Sequence, residues 1–290
     1  MTASLDDLLN GGRPVLLDGA TGTELERRGF ALEGAGWSAR AIDDAPELLE
    51  AIHKDYVKAG AQIVTANTFR LHRRNLGDWG KGDEQRRLVE KAIVLARRAG
   101  PALVAGSLAP IGDCYSPEDV PRLEALADEH WQLAHEIARS GADLILIETM
   151  VAGCEAEAAC QAAGRTGLPF IVSFVTGPGG RLLSGERLGD VLPTVLALRP
   201  AAVSVNCVSC RNVPEAVVEL ACGVGVVPFG VYANTGERSE DGSWRVTTAS
   251  QPAVYAGLAA RWLEAGARLI GGCCGTTPAH VSAMQALISQ

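Results

Sequence analysis

The sequence is expected to fold as an α/β protein, a single (β/α)8 barrel domain over residues 1–290, on three observations. Eight apolar, strand-like runs alternate with amphipathic, helix-like stretches from one end of the chain to the other. A small residue followed by Gly-Ala recurs just before a strand, in "KAGAQIVTANTF", "RSGADLILIETM" and "EAGARLIGGCCG". That glycine fits the left-handed position that closes a helix and turns the chain into the next parallel strand. No Pro/Ser-rich linker, low-complexity tract or shift in composition divides the sequence.

In chain order, "VLLDGA" (Val15–Ala20) is the first run and ends on Asp18 and Gly19. "QIVTANTF" (Gln62–Phe69) follows and carries Asn67 and Phe69; "ALVAGSLA" (Ala102–Ala109) is third. "DLILIETM" (Asp143–Met150) places Glu148 directly after an apolar stretch, and "FIVSFV" (Phe170–Val175) is fifth. "AVSVNC" (Ala202–Cys207), "VPFGVYAN" (Val227–Asn234) and "RLIGGCCG" (Arg268–Gly275) end on Cys207, Asn234 and the pair Cys273–Cys274. Nearly continuous apolar strands suit a parallel sheet buried on both faces. An open doubly wound sheet is the rival, but the first run lacks the G-x-G-x-x-G expected there, since "GATGTE" offers only Gly19 and Gly22.

Composition narrows the function. A net charge of -8, a pI near 5.2 and the absence of any basic stripe argue against nucleic acid as a partner. The start "MTASLDDLLNGGRP" has no basic, apolar or cleavage-site region, and no run is long enough to span a bilayer, so a cytoplasmic protein without membrane contact is expected. Eight cysteines in such a chain read as thiols or metal ligands. The motifs specify no oligomeric state.

In a barrel all strand ends of one polarity share a rim, so Asp18, Asn67 and Glu148 should meet Cys207, Asn234, Cys273 and Cys274 at one mouth. Adjacent thiols cannot serve one site within a regular strand, because alternate side chains face opposite ways. Gly271, Gly272 and Gly275 around Cys273 and Cys274 allow that alternation to lapse. Three thiolates would suit Zn2+ with a fourth, open position. Two other readings stand beside this one: buried cysteines as small core hydrophobes, to which Cys114, Cys154, Cys160 and Cys222 are assigned, and a redox dithiol at Cys273–Cys274, which would strain the peptide between them. Cys210, in "NCVSC", fits either a ligand pair or the core.

The motifs "LLDGATGTELERRG", "AGAQIVTANTF", "GADLILIETM", "SVNC", "ANTGE" and "GGCCGTTPAH" together resemble the homocysteine S-methyltransferases, over about Val15 to His280. The resemblance implies a barrel whose zinc, held by Cys207, Cys273 and Cys274, binds the homocysteine thiol and promotes its methylation to methionine. It further implies that Asp18 and Glu148 hold the substrate's amino group, with Gly19 and Asn67 beside them, and that Asn234 fills the open zinc position when substrate is absent.

The methyl donor is expected to be a small sulfonium, S-methylmethionine or S-adenosylmethionine. The stretch "WSARAIDDAPELLEAIHKDYVKAGAQIVTA" resembles the stand-alone S-methylmethionine branch. The sequence shows no folate or cobalamin domain and no extension of the betaine type, although a donor system acting in trans is the alternative. Trp37 and Phe69 could offer aromatic faces to such a cation. "GPGGRLLSGERLGD" lacks a P-loop ending and reads as a mobile rim loop, and His72, His130, His135 and His280 have no metal spacing.

Overall fold

The computed structural model describes residues 4–238 and 244–289. Eight parallel strands form one sheet, and each pairs with its neighbour in the rotation β1-β10-β7-β6-β5-β4-β3-β2. They are β1 (Val15–Leu16), β2 (Ile63–Ala66), β3 (Leu103–Leu108), β4 (Leu144–Met150), β5 (Phe170–Phe174), β6 (Ala202–Ser209), β7 (Phe229–Asn234) and β10 (Leu269–Gly272). A bridge from Leu17 to Ile63 closes the ring, supported by the Gln62 N–H donating to the Leu16 carbonyl at 2.8 Å. Closure removes the sheet edges, as the (β/α)8 expectation requires.

The helices run α1 (Leu5–Asn10), α2 (Thr21–Arg27), α3 (Ala41–Asp44), α4 (Pro46–Lys58), α5 (Arg73–Asp78) and α6 (Gln85–Arg98). After them come α7 (Leu123–Arg139), α8 (Gly153–Thr166), α9 (Leu188–Leu196), α10 (Val213–Gly223), α11 (Pro252–Glu264) and α12 (Pro278–Ile288). The three Gly-Ala signatures sit where expected, with Gly60, Gly141 and Gly266 at φ of 112°, 86° and 103°. Among the described residues, no helix is long and apolar enough to cross a membrane.

Strand parity sorts the apolar residues into two cores. Val64, Val104, Ile145, Val203 and Val231 face the helices, whereas Ile63, Leu103, Leu144, Leu269 and Tyr232 fill the barrel. Leu5 and Leu9 of α1 join the inner set and pack on the strand beginnings, so α1 plugs the barrel floor. Ser4 starts this helix with a reciprocal cap to Asp7. Burying two leucines there stabilises the floor by about 3–6 kcal/mol.

Four details differ from the sequence expectation. The first strand is only Val15–Leu16, although the backbone goes on pairing beyond it: the Leu17 N–H donates to the Ile270 carbonyl (2.8 Å) and the Asp18 N–H to the Ile63 carbonyl (3.1 Å). The sixth runs past Cys207 to Ser209 through a bulge. A hairpin of β8 (Gly236–Arg238) and β9 (Trp244–Val246) follows β7. The stretch read as a mobile rim loop is a pinned strap, with bridges Thr176–Leu182 and Arg181–Arg187 and the Gly177 N–H donating to the Arg181 carbonyl at 2.8 Å.

Candidate metal centre and substrate cavity

Parity alone would turn Cys207 away from the mouth. Along β6, Ala202 faces the barrel and Val203 and Val205 face the helices, so Cys207 should follow the valines. The strand avoids this with one extra residue: Asn206 pairs with Tyr232 and Ser209 with Asn234, three steps against two. Cys207 itself takes the left-handed conformation, φ 55°. Its side chain thereby joins Cys273, Cys274 and Tyr115 beside Val151 and Val175.

A matching bulge interrupts β4, where Ile147 pairs with Val172 and Met150 with Phe174. Here the left-handed residue is Thr149, φ 66°, an unfavourable place for a β-branched side chain. Its N–H donates to Asn206 Oδ1 at 2.9 Å, so the two bulges brace each other. Local strain of about 1–3 kcal/mol at such positions persists only where surrounding structure enforces it.

At the end of β10 the chain turns over Cys273, Cys274, Gly275 and Thr276. The Thr276 N–H donates to the Cys273 carbonyl at 3.0 Å, with Gly275 at φ 81° in the third place. The Cys273 N–H continues the ladder to the Ala233 carbonyl (2.9 Å), and the Cys274 N–H donates to Asn234 Oδ1 (2.9 Å). Adjacent thiols converge because the second lies in a turn, as the flanking glycines led us to expect.

The three Sγ atoms lie within 4.8 Å of one another, and Cys207 and Cys274 are 3.8 Å apart. Tetrahedral zinc with bonds of about 2.3 Å would set its sulfurs about 3.8 Å apart. The trio therefore fits such an ion. Without a cation these thiols hold each other protonated. In Cys207 the hydrogen bond with Cys273, and in Cys274 that with Cys207, raise the titration well above the usual thiol range, and burial adds to both. A bound cation reverses that preference by stabilising thiolates.

Tyr115 was not among the residues singled out in the sequence. Its hydroxyl stands 3.0 Å from Cys207 Sγ, and burial, followed by the neighbouring Cys207, keeps the phenol from ionising. Against a Cys207 thiolate only the hydroxyl can donate. Cys114, expected in the core, lines the cavity instead, while Cys154 and Cys222 are exposed; Cys160 is buried as expected. Cys210 donates its S–H to the Asn234 carbonyl at 3.2 Å.

A cavity of about 270 Å³ opens beside the thiols and reaches Asp18, Glu148, Trp37 and Phe69. Asp18 accepts the Thr65 N–H (2.8 Å) and hydroxyl (3.0 Å), and Glu148 accepts the Ser107 hydroxyl at 2.5 Å. Burial pushes the Asp18 carboxyl up to about 8 against its Thr65 hydrogen bonds, with the Glu148 charge adding to the rise. Burial likewise pushes Glu148 up to about 7 against its Ser107 bond. Both acids line the cavity, and burial disfavours the charged form of each.

Gly19 also lines this cavity, where a Cβ would meet Tyr56 and Thr276 Oγ1 at 2.8 Å. Asn67 donates to the Ser38 carbonyl (2.8 Å) and accepts its hydroxyl (3.1 Å), so it fixes the segment that carries Trp37. Trp37 and Phe69 lie 6.1 Å apart, centroid to centroid, over the mouth. Asn234 lies outside this cavity, and its Oδ1 serves the Cys274 N–H.

The sequence profile described as Homocysteine S-methyltransferase matches residues 15–288. The chain belongs to this family. It is 34% identical to the homocysteine S-methyltransferase of Escherichia coli K12 over 94% of either chain. It is 30% identical to the selenocysteine Se-methyltransferase of Brassica oleracea, over 94% of this chain and 88% of that one. Its fold superposes on the metallated form of the Escherichia coli homocysteine methyltransferase MmuM with a TM-score of 0.85, 31% identity and coverage of 98% and 99%. In this family member, the sulfur trio and the two acids share one barrel mouth.

Proposed function

We propose that the protein methylates the thiol of homocysteine, using a sulfonium donor and zinc held by Cys207, Cys273 and Cys274. One observation carries this reading: three convergent sulfurs and two desolvated carboxylates line the same small cavity. An ion at three thiolates has one tetrahedral position left. Homocysteine has a thiol at one end and an ammonium at the other, which matches that pairing. The metallated form known for the Escherichia coli relative supports a metal here, and the thiolate set favours zinc.

When bound, zinc would supply the charge that keeps the substrate sulfur deprotonated near neutral pH. Every other part of the work falls to the chain. Asp18 and Glu148 bind the ammonium and fix the direction of the thiol. Tyr115 donates a hydrogen bond to Cys207 and keeps that sulfur oriented and shielded. Trp37 and Phe69 exclude water from the reacting sulfur, with Asn67 holding the Trp37 segment and Gly19 leaving room beside Asp18. Asn234 braces the Cys274 turn through its Oδ1.

Thiol ligands of this kind persist in a reducing compartment, which agrees with a cytoplasmic enzyme. A redox dithiol would leave the two carboxylates without a task. The test is to mix the purified protein, zinc and homocysteine with S-methylmethionine, S-adenosylmethionine or betaine and to follow methionine by mass spectrometry. A sulfonium should yield methionine; no product from any donor would end the reading.

A further inference from the structure

Tyr115 and Cys207 line both the homocysteine cavity and a second cavity of about 450 Å³, and the contact between them forms the wall that separates the two. Tyr115 stands in the irregular segment between β3 and α7, where neither a sheet ladder nor a long helix fixes the backbone. The buried polar groups of such a segment need partners from elsewhere, and those partners decide where it runs.

The partners here are three buried side chains that the site described above does not use. Glu155, in the first turn of α8, and His130, within α7, are both fully buried and lie 3.3 Å apart, Oε1 to Nε2. The same Glu155 Oε1 accepts the Ile111 N–H at 2.9 Å. His72, equally buried, meets His130 edge to face with ring centroids 5.1 Å apart. Burial, followed by the neighbouring His130, pushes His72 down to about 3, so its ring is neutral and its Nε2 donates to the Ala109 carbonyl at 2.8 Å. The chain is thus held on both sides of Pro110, which has no N–H of its own.

From Ile111 the hold passes on to Tyr115. The Ile111 side chain packs with Leu126 and Ala158, and Val120 touches both this group and the one that contains Cys207 and Tyr115. Gly112 approaches the Asp119 carbonyl so closely that a Cβ would meet it at 2.8 Å. Asp113 then turns the chain, its carboxylate accepting the Tyr115 N–H at 2.7 Å. A buried acid and imidazole are a weak source of stability, and apolar residues of similar volume often pack as well. Apolar residues would leave the Ile111 N–H without an acceptor. Resting on the metal reading of the three thiols, we propose that Glu155, oriented by His130, is a positioning residue for Tyr115: it anchors Ile111 and so sets the Tyr115 hydroxyl on the sulfur of Cys207.

The test is a double-mutant cycle on the full chain, read as zinc affinity against a competing chelator in variants that unfold cooperatively. Glu155→Leu removes the acceptor at similar volume, and Tyr115→Phe removes the hydroxyl. Each should weaken zinc roughly tenfold, and the two together should still weaken it roughly tenfold, where independent residues would multiply to roughly a hundredfold. Glu155→Gln keeps an acceptor for the Ile111 N–H and should bind zinc as wild type does. Should Glu155→Leu fail to fold, the cycle is run with His130→Phe, which leaves the Glu155 carboxyl unoriented; it should weaken zinc alone and add nothing to Tyr115→Phe. Unchanged zinc affinity in Tyr115→Phe or in its partner variant, a multiplied loss in the pair, or a Glu155→Gln variant as weak as Glu155→Leu would overturn the proposal. Those results would leave the metal reading intact, whereas a wild-type protein that takes up no zinc would end both.

Discussion

The Tyr115 hydroxyl lies 3.0 Å from Cys207 Sγ, on the wall between the two cavities. Cys207 reaches that wall only because its backbone is left-handed within a bulge. A hydrogen bond at this point orients a ligand sulfur and lowers the basicity of its thiolate. Partners of this kind usually change metal affinity by about 10–100-fold. Tyr115→Phe should therefore fold normally and bind zinc roughly tenfold more weakly, as a competing chelator would show. Unaltered zinc affinity would reduce Tyr115 to a packing residue.

Glu148 and Asp18 are assigned to the substrate's ammonium and have no place in the metal set. Glu148→Gln should keep wild-type zinc and raise the homocysteine KM at least roughly tenfold, since removing one member of a buried charge pair costs about 2–5 kcal/mol. Cys207→Ala should do the reverse and lose zinc first. If metal analysis and KM moved together in both variants, this division of roles would fail.

Protonation of the two acids sets a pH dependence. With Glu148 near 7 and Asp18 near 8, both are largely neutral at pH 6 and increasingly charged as pH rises. An ammonium binds the charged form, so affinity should increase from about pH 6 to about pH 8. Methionine as a competitive inhibitor has the same ammonium and no thiol, so its inhibition constant isolates the carboxylates. In Asp18→Asn the upper part of that increase should disappear.

Folding stability without ligand should show the opposite slope. Both carboxyls are raised above their unfolded values of 3.8 and 4.5, so between about pH 4 and 8 the folded state binds more protons than the unfolded state. Stability therefore falls as pH rises through that window. Denaturant midpoints of wild type and of Asp18→Asn across this range will measure the slope, which the variant should flatten.

Gly275 makes the cysteine turn possible. It sits at φ 81°, and a Cβ there would overlap Thr235 Oγ1. Gly275→Ala should lower stability by about 1–3 kcal/mol and displace the Cys273–Cys274 thiols, with loss of zinc. Thermal denaturation and metal analysis would together reveal the effect, and an alanine variant with full zinc would show that the turn adapts.

Much of this site was legible in the sequence because its key residues end apolar runs. Glu148 and Cys207 lie near the carboxyl ends of β4 and β6 and Cys273 directly follows β10, and a barrel gathers such ends on one rim. Tyr115 was not legible. It belongs to the irregular segment between β3 and α7, where no periodicity tells which way a side chain points. The bulges at Thr149 and Cys207 were hidden for a related reason, since both are left-handed residues without a glycine to mark them. In "ANTGE" the asparagine was visible, but its acceptor role toward the Cys274 N–H depends on a turn forty residues further along. The floor helix had a local sign in Ser4 and Asp7 at capping-box spacing, and only the barrel gives Leu5 and Leu9 something to cover.

The central claim is that a metal held by three cysteines activates the substrate sulfur. Its most direct measurement is zinc content and methionine formation on the same samples, as zinc is removed by chelation and then restored. Activity should fall and recover in proportion to zinc, with full activity at one ion per chain and none in Cys207→Ala. Full turnover by protein free of transition metals would contradict the account.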